Sequence, residues 1–349
     1  MTIGISNHRL VNRLESEKFA LSFSGQGFSW LPTLRTVIAG GNGAQVAGAV
    51  DAAGKLLEPV ADELVAALPH GFDPVEWAGN AEDPAWDLSD SSISTPGIVV
   101  AQYGLIESLK AQGLDPADAV AHIGHSQGAL ATYISSGRAQ AAEVIALAQL
   151  IGVAISKTAR ATGLIRIAAG SPMVSIAGIS REQLAKVLAK TGVDSVIGLQ
   201  NNHNTFVVTG SPEDNNKVIE AIEKLAAKDA KAIENKERGG NPFAPRINAL
   251  PVQSGYHHPK MSAAVEMVTS WAERIGLDKD LAHDGAEAVL TEIVNWPATV
   301  QSAVDAGVTW ILECGPEKGM AALTKAVVAG QGIGVQVVST DEGQAALFD

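Results

Sequence analysis

One ten-residue stretch constrains this chain more than its composition does. Ala119-Val120-Ala121-His122-Ile123 is a mostly apolar run with the length of a short buried strand. It meets Gly124-His125-Ser126-Gln127-Gly128, and an alanine-rich helical stretch follows. Strand, Gly-x-Ser-x-Gly, helix is the context of a nucleophile elbow. The reason is steric. The turn is too sharp for side chains at both flanks, so Gly124 and Gly128 let strand and helix approach, and Ser126 is pushed outward. The helix that follows aims its N-terminus at a reacting carbonyl and favours developing negative charge there. A glycine-rich strand-to-helix turn without chemistry satisfies the same pattern, so the reading needs support elsewhere in the chain.

The 349 residues suffice for one large domain or two with an ample core. No apolar run approaches the roughly 18–20 residues of a membrane span. Met1 to Lys18 mixes charged and polar residues and has no apolar signal core. The single cysteine, Cys314, excludes a disulfide framework and a cysteine-based metal cluster. A cytoplasmic protein is expected. The net charge of −13 disfavours nucleic acid and anionic membrane surfaces as partners. It is also awkward for an acidic protein partner, which would need a local basic patch. Ser339-Thr340-Asp341-Glu342-Gly343 reads as a linker, with the expectation that the chain is cut from a longer polypeptide.

Phe19 to Ser24 is a first strand, ended by the tight turn Gly25-Gln26-Gly27. Ala44 to Leu68 has apolar residues at helical spacing. Pro69 to Ser94 reads as surface loop, and Thr95-Pro96-Gly97 opens a helix from Ile98 to Gln112. Ala139 to Thr162 is a long helix dense in Ala, Ile and Leu, buried on more than one face. The grammar then changes. Met173 to Gly178 reads as a strand and Ser180 to Gln183 as a capped helix start. Val196–Gln200 and Thr205–Gly210 read as strands joined by Asn201-Asn202-His203-Asn204, a helix follows to about Ala230, and Arg246 to Val252 is a strand. This β-α-β-β-α-β order is a ferredoxin-like module, at 173–252. It is inserted into an α/β unit made of 1–172 and 253–349. The fold class is thus α/β, with an α/β-hydrolase-like core, a parallel sheet and a ferredoxin-like insert. A histidine pair, His257-His258, follows the insert's last strand, and Trp310 to Cys314 is a strand ending at Gly315-Pro316.

Four motifs in this order resemble one known family: Ser24-Gly25-Gln26-Gly27, Gly124-His125-Ser126-Gln127-Gly128, Ser254-Gly255-Tyr256-His257, and Glu313-Cys314-Gly315-Pro316-Glu317-Lys318. They look like the acyltransferases of fatty acid and polyketide synthesis, the relatives of malonyl transacylase, and most closely the acyltransferase domain of a type I fatty acid synthase. The resemblance implies the fold just described. It also implies a serine nucleophile, Ser126, whose proton is taken by a neutral imidazole at His257, because a serine hydroxyl is a poor nucleophile at neutral pH. His258 is the rival base. The oxyanion would be held by the backbone amides of Gln26 and Gln127. A backbone carbonyl near Glu292 to Asn295 would orient the histidine in place of an aspartate. His125 would pack or line the acyl pocket, and Asn202 and Asn204 would meet the pantetheine arm, with plain turn chemistry as their alternative. His122 and His203 read as structural and Cys314 as packing.

Family members that take malonyl groups carry an arginine about 25 residues after the serine, whose fork pairs with the substrate carboxylate. Counting without gaps from Ser126 lands on Ile151, and no arginine lies between Arg138 and Arg160. An unpaired charge in a pocket costs several kcal/mol. The expectation is therefore transfer of an uncharged acyl group, most simply acetyl, from coenzyme A through an acyl-serine to the phosphopantetheine thiol of an acyl carrier protein. That carrier would be tethered in the same synthase. No metal or redox cofactor is implied. The alternatives are a malonyl or palmitoyl transacylase, a serine hydrolase or thioesterase, and a non-catalytic docking domain.

Overall fold

A computed structural model describes residues 10–14 and 16–348. Residues 1–9, the start of the N-terminal segment read above, lie outside the described residues. Among the described residues nine strands form two sheets: β1 Phe19–Phe23, β2 Ala121–Gly124, β3 Met173–Ala177, β4 Val196–Asn202, β5 Thr205–Thr209, β6 Arg246–Ala249, β7 Val294–Asn295, β8 Trp310–Glu313 and β9 Gly334–Val337. The first sheet is four-stranded in the order β2-β1-β8-β9, with every pairing parallel. Parallel pairing buries both faces, and β1 is buried at every residue. The C-terminal ends of β1 and β2 lie side by side, with Phe23 opposite Gly124. That register sets the Gly25-Gln26-Gly27 turn beside the elbow.

The second sheet runs β6-β3-β5-β4-β7. Its first four strands, numbered within the insert, have the ferredoxin-like order 4-1-3-2. Alternation along the strands divides them between two cores. Val174, Ile176, Phe206 and Val208 pack under the helices Arg181–Thr191 and Pro212–Glu234. Met173, Leu199 and Val207 turn to the main core, with Val252 and Tyr256. Two further links fix the insert and the chain that leaves it. Strand β7 pairs in parallel with β4, and the 3.0 Å bond from the His258 amide to the Leu290 carbonyl ties the returning chain to the helix Lys279–Leu290.

The helix Ser91–Ala111 starts earlier than the sequence pattern indicates. Asp90 caps it through Ser92 N, and Pro96 lies inside it rather than in its first turn. Its glycines give close approach: a Cβ on Gly97 would overlap the Trp30 indole, and one on Gly104 would overlap Val37. The stretch read as loop, Pro69 to Ser94, also holds a short helix, Pro74–Gly79, capped by Asp73. The helix Ala141–Thr162 corrects the membrane reading. It is long and apolar enough to cross a bilayer, but most of it is buried inside the protein. It is a core helix, packed on Gly43–Leu57, Ser91–Ala111 and Ser262–Arg274. The stretch read as a linker opens the helix Asp341–Phe348, in which Leu347 is fully buried.

Candidate active site

Ser126 stands between β2 and the helix Gly128–Ser135, with φ +57. A non-glycine residue adopts that conformation at a cost and persists there when its surroundings over-determine it. They do so here: a Cβ on Gly124 would overlap the Ala129 backbone, and one on Gly128 would overlap the Phe23 carbonyl. Ser126 Oγ lies 2.6 Å from His257 Nε2. His257 Nδ1 lies 2.7 Å from the Glu292 carbonyl oxygen. A carbonyl only accepts, so Nδ1 carries the proton and Nε2 is left to accept from the serine hydroxyl. His257 also has positive φ, +56, at the end of the Ser254–Tyr256 segment. The sequence located the orienting carbonyl only to a segment; the structure assigns it to Glu292.

His257 is fully buried, and that burial lowers its pKa to about 4; the Glu292 carbonyl bond opposes the shift and nearby His125 adds to it. A neutral imidazole is the form a base needs. His258 is differently employed: Nε2 donates to the Asp194 carbonyl at 2.8 Å, and Nδ1 accepts from Lys260 N at 3.1 Å. Both its nitrogens are used, Nε2 in joining the turn to the insert and Nδ1 in capping the turn that follows.

The Gly25-Gln26-Gly27 turn abuts the elbow. A Cβ on Gly25 would stand 2.8 Å from the His125 carbonyl, 3.0 Å from Ser126 Cβ and 3.2 Å from Gln127 N. Among the described residues the amides of Gln26 and Gln127 donate to no backbone or side-chain acceptor. Their side chains are both tied to the start of the helix Ser91–Ala111. Gln26 Nε2 donates to Ser94 Oγ at 2.9 Å and Thr95 Oγ1 at 3.2 Å, and Gln127 Nε2 donates to the Thr95 carbonyl. From the same helix, Gln102 Nε2 donates to the Ser24 carbonyl at 2.6 Å, and Ser91 Oγ lies 2.8 Å from the Tyr256 hydroxyl.

His125 is turned away from the nucleophile. Its Nε2 is 2.9 Å from Asn201 Oδ1, its ring meets Trp296 edge-on at 5.4 Å, and burial lowers its pKa to about 4. Asn201 is the insert residue that touches the elbow. Its neighbours form the turn itself: Asn202 Oδ1 accepts from Asn204 N at 2.9 Å, and Asn204 is exposed. Ile151 is fully buried in the helix Ala141–Thr162, which packs on the Pro259–Met261 turn just after the histidine pair. Next to it, Gly152 leaves no room for a Cβ against the Ser91 carbonyl. Cys314 is buried in the main core, where burial raises its thiol pKa, and His122 bonds Ser135 at 2.9 Å. Among the described residues no three His, Cys, Asp or Glu side chains are grouped to hold a metal ion.

Ser94, Thr95, Gln102 and Asn201 escape a reading of the sequence. The run Ser91-Ser92-Ile93-Ser94-Thr95 carried one clue, since serines buried at a helix start need partners. Glu313 is a further surprise. It is fully buried, accepts from Ser22 Oγ at 2.8 Å and from Gly315 N at 3.1 Å, and burial pushes its pKa up to about 8.

Residues 172–249 match the family profile of the fatty acid synthase central AT domain. Fatty acid synthase subunit beta of Gibberella zeae is 26% identical over 196 residues, covering 47% of this chain and 9% of that protein. The polyketide synthase-like protein Preu9 of Preussia isomera is 28% identical over 159 residues, covering 45% of this chain and 6% of that protein. The chain thus spans less than a tenth of the length of these curated relatives. Among solved structures, the malonyl-CoA:acyl carrier protein transacylase of Xanthomonas oryzae superposes with TM-score 0.68 at 19% identity, over 96% of this chain and 98% of that one. A malonyl-transacylase solved in complex with its type II polyketide synthase acyl-carrier protein gives TM-score 0.66 at 18% identity, over 95% and 99%. The chain has the fold of solved acyl-carrier-protein transacylases, and parts of its sequence are similar to fatty acid and polyketide synthases. The profile matched over the insert is the one drawn from fatty acid synthase.

Proposed function

We propose that this chain moves an uncharged acyl group, most simply acetyl, from coenzyme A to the phosphopantetheine thiol of an acyl carrier protein. The observation that carries the reading is the Ser126–His257–Glu292 carbonyl relay beside two unpartnered amides. His257 Nε2 takes the serine proton as Oγ attacks the thioester carbonyl. The Gln26 and Gln127 amides receive the oxyanion, each such donor being worth roughly 3 kcal/mol of barrier. Collapse breaks the C–S bond, and His257 returns the proton to the departing thiolate. The carrier thiol then gives its proton to His257, attacks the acyl-serine carbonyl and releases Ser126 as a hydroxyl. The two half-reactions make a ping-pong cycle that uses no resident cofactor. Transacylases with this fold have been solved with a carrier, which favours a carrier as acceptor here. Tethering within one synthase would offset weak docking through effective concentration.

An uncharged group is supported by Ile151 at the counted arginine position. Arg166, the nearest arginine downstream of that helix, is committed elsewhere: its guanidinium donates to the Val252 and Leu250 carbonyls. Malonyl transfer is the second reading, favoured by the activity named for the fold's solved relatives. Intact-protein mass spectrometry after incubation with acetyl-, malonyl- and palmitoyl-coenzyme A decides between them. An acetyl adduct on Ser126 is expected. A malonyl adduct alone would overturn the specificity, and no adduct from any donor would overturn the reaction. Partition of the acyl-enzyme between water and a thiol separates transferase from hydrolase.

A further inference from the structure

We propose that Ser94 and Thr95 are positioning residues that set the oxyanion amides of Gln26 and Gln127. The inference rests on the acyl-serine reading and assigns residues to it that no motif marks. Gln26 lies between two glycines, one of them, Gly27, at φ +109. Glycines on both sides give such a turn more backbone freedom than side-chain-bearing residues there would, and its central amide is bonded to nothing among the described residues that fixes its direction. An oxyanion donor is effective when it is held in place before the charge forms. Some other contact must therefore hold the turn.

The structure supplies that contact from one helix. Ser94 and Thr95 are 3% and 0% exposed, and they sit in a helix capped by Asp90. Their hydroxyls accept both hydrogens of the Gln26 side-chain amide. The Thr95 carbonyl accepts from the Gln127 side chain, so one residue touches both donors' side chains. Thr95 also lies beside the Tyr256 hydroxyl, one residue before the base. The residues that must converge on one carbonyl come from positions 26, 127 and 257, and a single helical turn contacts the side chains of Gln26 and Gln127 and of Tyr256, the residue before His257.

The test is a set of variants of the intact chain, assayed by single-turnover acylation with acetyl-coenzyme A and by intact mass. Ser94→Ala/Thr95→Val removes the two hydroxyls and keeps the Thr95 carbonyl. Gln26→Met keeps the side-chain length and removes the amide. Each should lower the acylation rate about 10-fold, less than the loss of a whole donor, with half-saturating acetyl-coenzyme A unchanged. Combining all three changes should give no further loss, because both routes break the same link. The exchange Ser94→Thr/Thr95→Ser, which keeps both hydroxyls, should restore the rate to within about twofold of wild type. Wild-type rates in Ser94→Ala/Thr95→Val, or losses that multiply when the changes are combined, overturn the inference. If that double variant does not fold, Gln26→Met decides alone, and an unchanged rate there overturns it. A wild-type chain that acquires no acyl group on Ser126 overturns the functional reading and this inference together. A labelled wild type with indifferent variants overturns this inference only.

Discussion

Gly25→Ala is the smallest change that should disable the site without touching its chemistry. The added carbon would lie 2.8 Å from the His125 carbonyl, 3.0 Å from Ser126 Cβ and 3.2 Å from Gln127 N, where ordinary contact begins near 3.4 Å. Two of those three atoms are backbone, and the third belongs to the nucleophile, so no flexible side chain can swing aside. Turn and elbow must separate by about 0.6 Å to relieve the closest contact, taking the difference between 3.4 and 2.8 Å. A donor placed at about 2.9 Å from the oxyanion would then stand near 3.5 Å, which forfeits most of its bond. The expected result is a fall of about 100-fold in acylation rate, the loss typical of one oxyanion donor. Half-saturating acetyl-coenzyme A should change less than about threefold, since the amides act on the transition state. The burst of coenzyme A release in a rapid-mixing experiment measures both. Gly137→Ala is the control. Gly137 has positive φ, +71, and open space around its Cβ, so its alanine variant should lower the melting temperature through backbone strain and leave the burst intact. A Gly25→Ala enzyme that acylates within threefold of wild type would refute the claim that this turn supplies an oxyanion amide.

Ile151→Arg should gain some malonyl loading and lose acetyl loading. The buried guanidinium costs several kcal/mol, so its melting temperature should fall and partly recover with malonyl-coenzyme A. No change in either loading would mean that Ile151 does not touch the acyl group. The pH dependence should separate two effects. With the His257 pKa lowered to about 4, the acid limb of kcat/KM should lie well below the usual histidine range, and a limb near pH 6.5 would contradict the burial argument. His125 and His257 both have folded pKa values lowered from 6.5 to about 4. The unfolded chain therefore binds their protons first, and stability should decline as pH falls from 6.5 towards 4, by roughly 3 kcal/mol for each group. Glu313 has the opposite sign. Its folded pKa is raised from 4.5 to about 8, so its contribution to stability is largest below pH 4.5 and is lost as pH rises to 8. Glu313→Gln should thus gain stability relative to wild type between pH 5 and pH 8 in denaturant titrations. A stability difference that stays constant with pH would show that Glu313 is not held protonated.

The elbow was legible because its demands are local. Gly124 and Gly128 are required by the overlap that a Cβ would make with the neighbouring backbone, and such requirements are written at fixed spacing. The insert was legible for a similar reason, as Val174 and Ile176 alternate with Met173, and Phe206 and Val208 with Val207, in step with the two faces of the sheet. The helix Ser91–Ala111 was misread because Pro96 suggests a first turn, whereas the Asp90 cap and the buried serines let the helix begin before the proline. The Glu292 carbonyl could be narrowed only to a segment, because a main-chain acceptor leaves no mark on residue type. Asn201 was overlooked in favour of Asn202 and Asn204, since only register decides which of three nearby polar side chains faces the core. In β4 that register is irregular just there, with shifts between Ile197 and Leu199 and between Gln200 and Asn202.

That irregularity bears on how the two halves of the molecule make one site. His257 is 131 positions from Ser126, and the insert lies between them in the chain. The distance is closed by topology. Strand β5 lies against β4 on one side and β3 on the other, and the chain leaving β6 returns beside Leu164 and Arg166, through Gly255 N to the Leu164 carbonyl and Arg166 N to the Gln253 carbonyl. Gly198 of β4 then lies against the His257 backbone and Cβ, so close that its own Cβ would stand 3.1 Å from that of the histidine. Asn201, three residues further along the same strand, reaches His125 beside the nucleophile. One strand of the insert therefore touches both His257 and the residue preceding Ser126. A shift of the insert relative to the core would move His257 and the elbow against each other, and an active geometry of 2.6 Å between Oγ and Nε2 leaves little room for it. Through β4 the insert is thus part of the frame that holds His257 beside the elbow.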